Sequence, residues 1–280
     1  VKVFRSIMEK VLIGVGCSHT QGCACITGVG TEKRVYELAS IQLKHKYKKQ
    51  KVNTDWVTEN FSWIGHLGNL LNVDKKLNFG SGGKGIEHCV RTLRNYAFRK
   101  KDLSNHLIIF QVPSLDRREV FWNNEGHKKI DMIRNMIVQP SKIIKTFINY
   151  FHEPDYYVVK YMYELYFIQD YLKRLGAKVY FFNMFSTEFS NLIKNPKEYS
   201  VMEKKIKQHH NLHNWSSELT EMITMKEIIE NLNIIDFVIP EVQRLDTEGL
   251  VKDDSHFSEA GNKQLAEYIY NGLKNETLFT

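Results

Sequence analysis

Short apolar runs alternate along the chain with longer segments in which apolar residues recur at helical spacing. Each run is a few residues long and mostly apolar, which is typical of a strand covered on both faces. The runs predicted to be strands cover residues 11–15, 76–80, 106–113, 178–184 and 234–240. The segments predicted to be helices cover residues 55–72, 86–100, 154–175, 219–232 and a last helix capped by Ser258.

This alternation predicts the fold class. When strands and helices alternate, the strands usually lie parallel and the connecting helices cover both faces of the sheet. The chain is therefore predicted to be an α/β protein, a three-layer α/β/α sandwich with a five-stranded, mostly parallel sheet. No internal repeat or linker interrupts the pattern, so residues 1–280 are expected to form a single domain. Polar, irregular stretches near 23–53, 115–150 and 186–215 are expected to be loop insertions.

The composition is that of a soluble globular protein, with 42% apolar and 25% charged residues. The formal net charge of +7 comes in part from one basic run, Lys44–Lys51. Such a run is most often a solvated loop or helix end, so nucleic acid is not expected as a partner. No apolar stretch is long enough for a signal peptide or a membrane span. The four cysteines form no zinc pattern and are expected to be reduced thiols.

The first apolar run ends in a turn of small residues, Gly16-Cys-Ser18. The end of a buried parallel strand lies at the rim of the sheet, where open α/β folds bind their ligands. Ser18 is therefore a candidate nucleophile, which needs a general base nearby. Cys17 is expected to point away from Ser18 and to pack behind the turn. His19 either lines the pocket or lies on the rim without a role.

A base and an acid for this serine stand together near the other end of the chain. Asp253 and His256 are three residues apart, just before the last predicted helix. A serine hydrolase uses an imidazole to take the serine proton and a carboxylate to orient and stabilise that imidazole. On their own, these residues also fit a turn capped by Asp253 or Asp254, with His256 exposed.

A glycine turn after the second predicted strand contains candidate donors for an oxyanion. The turn reads Asn78-Phe-Gly-Ser-Gly-Gly83. The backbone N–H of Gly83 or Gly82 can point at a developing negative charge, and so can the N–H of Ser18. Without such a role, the same glycines form a plain connection from strand to helix.

Together these blocks resemble the SGNH (GDSL-like) hydrolase family in their order and positions. In that family the first block carries the nucleophilic serine, and the last block carries Asp and His three residues apart before a helix start much like Ser258-Glu-Ala-Gly261. The resemblance implies a flavodoxin-like sheet and an oxyanion hole that includes the amides of Ser18 and Gly83. The catalytic triad that it implies is Ser18, His256 and Asp253.

The third block departs from the family pattern. The family usually has Gly-x-Asn-Asp after the third strand, where the Asn side chain is the third oxyanion donor. Here the strand is followed by Pro113-Ser-Leu-Asp-Arg117, so Ser114 is the candidate for that donor. A Gly-Cys-Ser-x-Thr start with a Ser-x-x-Arg third block is similar to a divergent branch of the family, many of whose members are encoded by phages or viruses.

The resemblance implies a serine esterase that needs no metal or cofactor. The substrates that it implies are small-molecule or carbohydrate esters, including O-acetyl groups on sugars. The alternative is a non-catalytic structural or binding protein on the same scaffold, such as a virion component, which the missing Asn and the basic run favour. The expected location is the cytoplasm or a virion.

Two further patterns carry less weight. The Gly-x-Ser-x-Gly elbow of α/β-hydrolases fits the Ser18 turn less well, because Thr20 stands where the last glycine should be. His209 and His213 are spaced for one face of a helix, beside His210. With no cysteine ligand near them, they are not expected to hold a metal.

Overall fold

The computed structural model describes residues 9–22, 60–113, 117–124, 127–133, 154–183, 225–235, 257 and 259–279. Its strands are β1 (Val11–Gly16), β2 (Lys75–Gly80), β3 (His106–Val112), β4 (Arg118–Asn124), β5 (His127–Ile133) and β6 (Lys178–Asn183). Its helices are α1 (Ser18–Gln21), α2 (Trp63–Leu70), α3 (Ile86–Lys100), α4 (Pro154–Arg174), α5 (Met225–Asn231) and α6 (Glu259–Leu273).

Four of the strands form a parallel sheet, which confirms the predicted α/β class. The order of strands in the sheet is β2-β1-β3-β6. Both β1 and β3 are therefore inner strands, and all six residues of β1 are buried. Burial on both faces explains why the sequence of β1 is apolar throughout and does not alternate with polar residues.

Alternate residues of the strands point into two separate cores. From β1, Ile13 and Val15 face a core built with α3, α4 and α5, whereas Leu12 faces a core built with α2 and α6. Helices therefore cover both faces of the sheet, as the three-layer prediction requires. In the second core Trp63 is fully buried and packs edge-on against Phe182, with ring centroids 5.3 Å apart. Fully burying a side chain such as Phe182 contributes about 1.5–3 kcal/mol.

Where the structure describes them, the predicted helices lie at their predicted positions, and one of them is interrupted. α4 ends just before Gly176, whose φ of +94° suits glycine. The predicted inner face of α6 is buried, and its residues are Leu265, Ala266, Ile269 and Leu273. Within the predicted helix 55–72, residues 60 and 61 are helical, and Ser62, which has extended backbone angles (φ −73°, ψ 166°), separates them from α2; residues 55–59 lie outside the described residues. None of the helices in the described ranges is long and apolar enough to cross a membrane.

The start of the fifth predicted strand lies at the outer edge of β6. Ile234 forms a parallel bridge with Phe181. The Phe181 N–H donates to the Asn233 carbonyl, and the Ile235 N–H donates to the Phe181 carbonyl, both at 2.9 Å. The remainder of the predicted strand, from residue 236, lies outside the described residues.

The prediction that residues 115–150 form an irregular insertion is wrong for its first part. β4 and β5 pair as an antiparallel hairpin in which Asn124 lies opposite His127. The two residues between the strands in the sequence, Glu-Gly, include glycine, which is a common hairpin signal. The other predicted insertions, near 23–53 and 186–215, lie outside the described residues.

Candidate active site

Ser18 lies at the carboxyl edge of the parallel sheet. β1 ends at Gly16, and Ser18 is the first residue of the four-residue helix α1, which is capped by Gly22 with a φ of +78°. Because β1 is an inner strand, Ser18 lies between the ends of β2 and β3. Only 7% of Ser18 is exposed. A group that reacts with its hydroxyl must therefore enter a confined space.

A buried glutamine of β3 holds the Ser18 turn from one side. Thr20 donates its hydroxyl proton to Gln111 Oε1, and Gln111 Nε2 lies 3.4 Å from Cys17 Sγ. A Cβ on Gly16 would lie 2.8 Å from Gln111 Cβ, an atom that side-chain rotation cannot move, so glycine is required where the strand leaves the sheet. Cys17 is fully buried, which confirms that it packs behind the turn.

The end of β2 holds the same turn from the other side. Asn78 Nδ2 donates to the Thr20 carbonyl at 2.8 Å. A Cβ on Gly80 would collide with the backbone of Thr20 and Gln21. The backbones of β2 and α1 are therefore in direct contact, and the position of Ser18 depends on the glycine turn.

Most amides of the glycine turn already have acceptors, which lie within the turn, at the end of β1 and on α1. The Gly80 N–H donates to Asn78 Oδ1 at 2.9 Å, the Ser81 N–H to the Gly16 carbonyl at 3.0 Å, and the Gly82 N–H to Gln21 Oε1 at 2.8 Å. Gly83 follows with a φ of +71°, a conformation that favours glycine. Of the two amides that the sequence left open as oxyanion donors, Gly82 has an acceptor and Gly83 has none among the described residues.

The residue after Ser18 contacts the segment that precedes the last helix. His19 is 4% exposed, and its ring packs on Phe257 with centroids 4.8 Å apart and planes at 57°. Phe257 is itself 2% exposed and is the chain neighbour of His256. His19 is thus a packed residue beside the turn and does not lie exposed on the rim.

A buried amide in α6 fixes the same segment. Asn262 is 1% exposed; its Oδ1 accepts the Trp63 N–H at 3.0 Å, and its Nδ2 donates to the Phe257 carbonyl at 3.2 Å. The Asn262 side chain therefore joins the first amide of α2 to the chain just before α6.

Several sequence-predicted residues lie outside the described part of the chain. They are Ser114, Asp253, His256, the basic run Lys44–Lys51, and His209, His210 and His213. Their roles therefore stay predictions. Within the described residues, no group of His, Cys, Asp and Glu is placed to hold a metal ion.

Sequence reasoning missed Gln111 and Asn262. Each is a polar residue at a position that the local pattern assigns to the core: Gln111 is the next-to-last residue of the apolar strand β3, and Asn262 shares the inner face of α6 with Leu265, Ala266 and Ile269. A buried polar side chain needs a hydrogen-bond partner, so a polar residue at a predicted core position is the sequence signal that identifies Gln111 and Asn262.

The fold and the turn at Ser18 define an α/β protein with a serine at a strand-to-helix junction beside a glycine turn. No family model matches the chain, and no curated protein matches it in sequence. Among solved structures, a member of the G-D-S-L family of lipolytic proteins from Veillonella parvula is 11% identical. That alignment covers 95% of this chain and 100% of the other, with a TM-score of 0.41.

Two acetylxylan esterases also align with the chain. The enzyme from Butyrivibrio proteoclasticus is 12% identical over 95% of this chain and 64% of its own, with a TM-score of 0.44. A catalytic mutant of the enzyme from Geobacillus stearothermophilus is 13% identical over 97% of each chain, with a TM-score of 0.39. At these low values the alignments assign no activity, so the function proposed below rests on the residues of this chain.

Proposed function

We propose that this protein is a serine hydrolase of carboxylic esters. In this proposal Ser18 is the nucleophile, His256 is the general base and acid, and Asp253 orients His256. The N–H groups of Ser18 and Gly83, with the hydroxyl of Ser114, hold the oxyanion.

One observation carries the proposal. The Phe257 ring packs on His19 at 4.8 Å, so the chain neighbour of His256 contacts the residue next to Ser18, although they come from opposite ends of the chain. If Asp253-x-x-His256 were a chance sequence in a surface loop, the residue that follows it, Phe257, would not be expected to pack against the turn that carries Ser18. The contact therefore supports the triad over an exposed His256 beside a capped turn.

The chemistry follows from these roles. The Ser18 Oγ attacks the ester carbonyl carbon while His256 takes the hydroxyl proton, and the carbonyl oxygen becomes an oxyanion. The C–O bond to the alcohol breaks, and His256 gives the proton to the leaving alcohol. Water then attacks the acyl-enzyme with His256 again as the base, which releases the carboxylic acid and restores Ser18.

The glycine turn supports the proposed oxyanion hole. The three amides before Gly83 are used within the turn, on the end of β1 and on α1, so the turn is fixed before a substrate arrives. Fixed donors stabilise a developing charge without reorganising during the reaction. Complete loss of one donor costs about a hundredfold or more in rate, so a Ser114 hydroxyl in place of the usual Asn amide is expected to make a slower enzyme by part of that factor.

The substrate class we propose is a small acyl ester, with O-acetyl groups on carbohydrates tested first. The resemblance of the Ser18 and Asp253-x-x-His256 blocks to SGNH hydrolases supports esters in general. Ser18 is only 7% exposed, and this burial favours a small acyl group over a long one. A series of aryl esters from acetate to octanoate tests this, and a rate that rises with chain length would contradict it.

Hydrolysis of an aryl acetate tests the proposed roles. Ser18→Ala and His256→Ala should each lower kcat by at least about a thousandfold. The matched controls are Ser104→Ala and His106→Ala, which change the same residue types at the opposite edge of the sheet and should leave kcat near that of the wild type. Equal activity in Ser18→Ala and the wild type would contradict the proposal.

A non-catalytic protein on the same scaffold is the second candidate. The observation that favours it is the sequence after β3, Pro113-Ser-Leu-Asp, which has no Asn to act as the third donor. The hydrolysis assay separates the two candidates, because a scaffold protein gives no turnover that depends on Ser18.

A further inference from the structure

We propose that Asn262 is a positioning residue, which holds the segment ending at Phe257, and with it the neighbouring His256, against the Ser18 turn. This inference rests on the proposed serine-hydrolase function. It adds a residue that touches neither the substrate nor the reacting atoms and acts through the residues that do.

The first step is the bond that Asn262 makes to the segment. Its Nδ2 donates to the Phe257 carbonyl at 3.2 Å, and its Oδ1 accepts the Trp63 N–H at 3.0 Å. Asn262 is 1% exposed, so water cannot readily replace either bond. Only a side chain with both a donor and an acceptor can join an amide to a carbonyl in this way.

The second step leads from the segment directly to Ser18. The Phe257 ring lies 4.8 Å from the ring of His19, and both residues are buried. His19 is the second residue of α1 and follows Ser18 in the chain. A shift of Phe257 is therefore transmitted to the helix that carries the nucleophile.

The third step reaches the same helix by another route. Ser62, whose neighbour Trp63 bonds to Asn262, is fully buried, and its Oγ lies 3.4 Å from Asn78 Nδ2. Asn78 Nδ2 also donates to the Thr20 carbonyl in α1 at 2.8 Å. Asn262 thus connects to the Ser18 turn on both sides, through Phe257 and through Asn78.

The test compares Asn262→Asp with Asn233→Asp. Asn233 makes the same kind of bonds away from the site: its Nδ2 donates to the Val179 carbonyl at 2.9 Å, and its Oδ1 accepts from Lys173 Nζ at 3.3 Å. In both variants the new carboxylate keeps the acceptor and loses the donor. Two quantities are measured below the Tm: the rate of Ser18 labelling by a fluorophosphonate, and the NMR signal of the His256 ring, assigned as the signal missing from His256→Ala.

The proposal predicts different results for the two variants. Asn262→Asp should slow labelling about tenfold to a hundredfold, as expected when a catalytic group is displaced by about 1 Å, and should shift the His256 signal and its titration. It should lower kcat for an aryl acetate with KM within about twofold. Asn233→Asp should lower the Tm and change none of these quantities.

The remaining outcomes also decide the question. If Asn262→Asp lowers only the Tm, as Asn233→Asp does, Asn262 is a structural residue and the proposal is wrong. If the wild type is not labelled, the hydrolase function fails, and the His256 signal alone decides whether Asn262 holds the segment. If Asn262→Asp does not fold, Phe257→Leu takes its place, and an unchanged labelling rate and His256 signal in that variant would overturn the proposal.

Discussion

Replacing Gly80 with alanine should displace the helix that carries Ser18. A Cβ on Gly80 would lie 2.6 Å from the Thr20 carbonyl carbon and 2.7 Å from Gln21 Cα. Carbon atoms pack best at about 3.5–4.0 Å, so α1 must move away by about 1 Å. Both contacts are with backbone atoms, which cannot rotate aside as a side chain can.

The size of the effect follows from this displacement. Overpacking a well-packed site costs about 1–3 kcal/mol, which lowers the Tm of a chain of this size by roughly 2–12 °C. A shift of about 1 Å in a reacting group slows the reaction about a hundredfold. The rate of Ser18 labelling in Gly80→Ala should therefore fall about a hundredfold, whereas its Tm should fall by no more than about 12 °C.

Thermal melting by circular dichroism and fluorophosphonate labelling measure the two effects. Gly68→Ala is the matched control, because its Cβ would lie 2.6 Å from Lys76 Cγ, a flexible side chain that can turn away. Alanine in the middle of α2 is also about 1 kcal/mol better than glycine, so this control should melt no lower than the wild type. If Gly80→Ala melts and reacts like the wild type, α1 does not pack on β2 as described.

Two further predictions concern other residues. Gln111→Leu leaves the Thr20 hydroxyl without its partner, so it should cost about 1–3 kcal/mol of stability and slow Ser18 labelling. Gln169→Leu, which removes a similarly buried glutamine bonded to Asn231 and Asn233, should cost stability alone, and equal labelling rates in the two variants would contradict the role of Gln111. Burial lowers the pKa of His66 below its usual 6.5, so the unfolded chain binds more protons there and stability is lost as the pH falls below about 6.5. The Tm of His66→Gln should fall less than that of the wild type between about pH 7.5 and 5.5, and parallel curves would contradict this.

The sequence predicted the parallel sheet well because its two inner strands are buried on both faces. β1 and β3 are inner strands, and a short continuous apolar run is typical of a strand in that position. The β4–β5 hairpin was missed because its strands are rich in charged and amide residues, from Arg118 and Glu119 to Lys128 and Lys129. Such strands carry little periodic signal, and the hairpin lies in a separate two-stranded sheet.

The site could be predicted from sequence only in part. Ser18 is found at the strand end because strand ends are visible in a sequence. The bonds that hold its turn join residues far apart in the chain: Thr20 and Gln111 are 91 positions apart, and Trp63 and Asn262 are 199 apart. A single sequence contains no information on such pairings beyond the oddity of a polar residue at a core position.

Labelling with a fluorophosphonate followed by mass spectrometry of the peptides tests the central claim most directly. We expect one label per chain, located on the peptide that contains Ser18, with labelling abolished in Ser18→Ala and strongly slowed in His256→Ala. The control His106→Ala should be labelled at the wild-type rate. A protein that takes no label, or that keeps its label in Ser18→Ala, would contradict the assignment of Ser18 as the nucleophile.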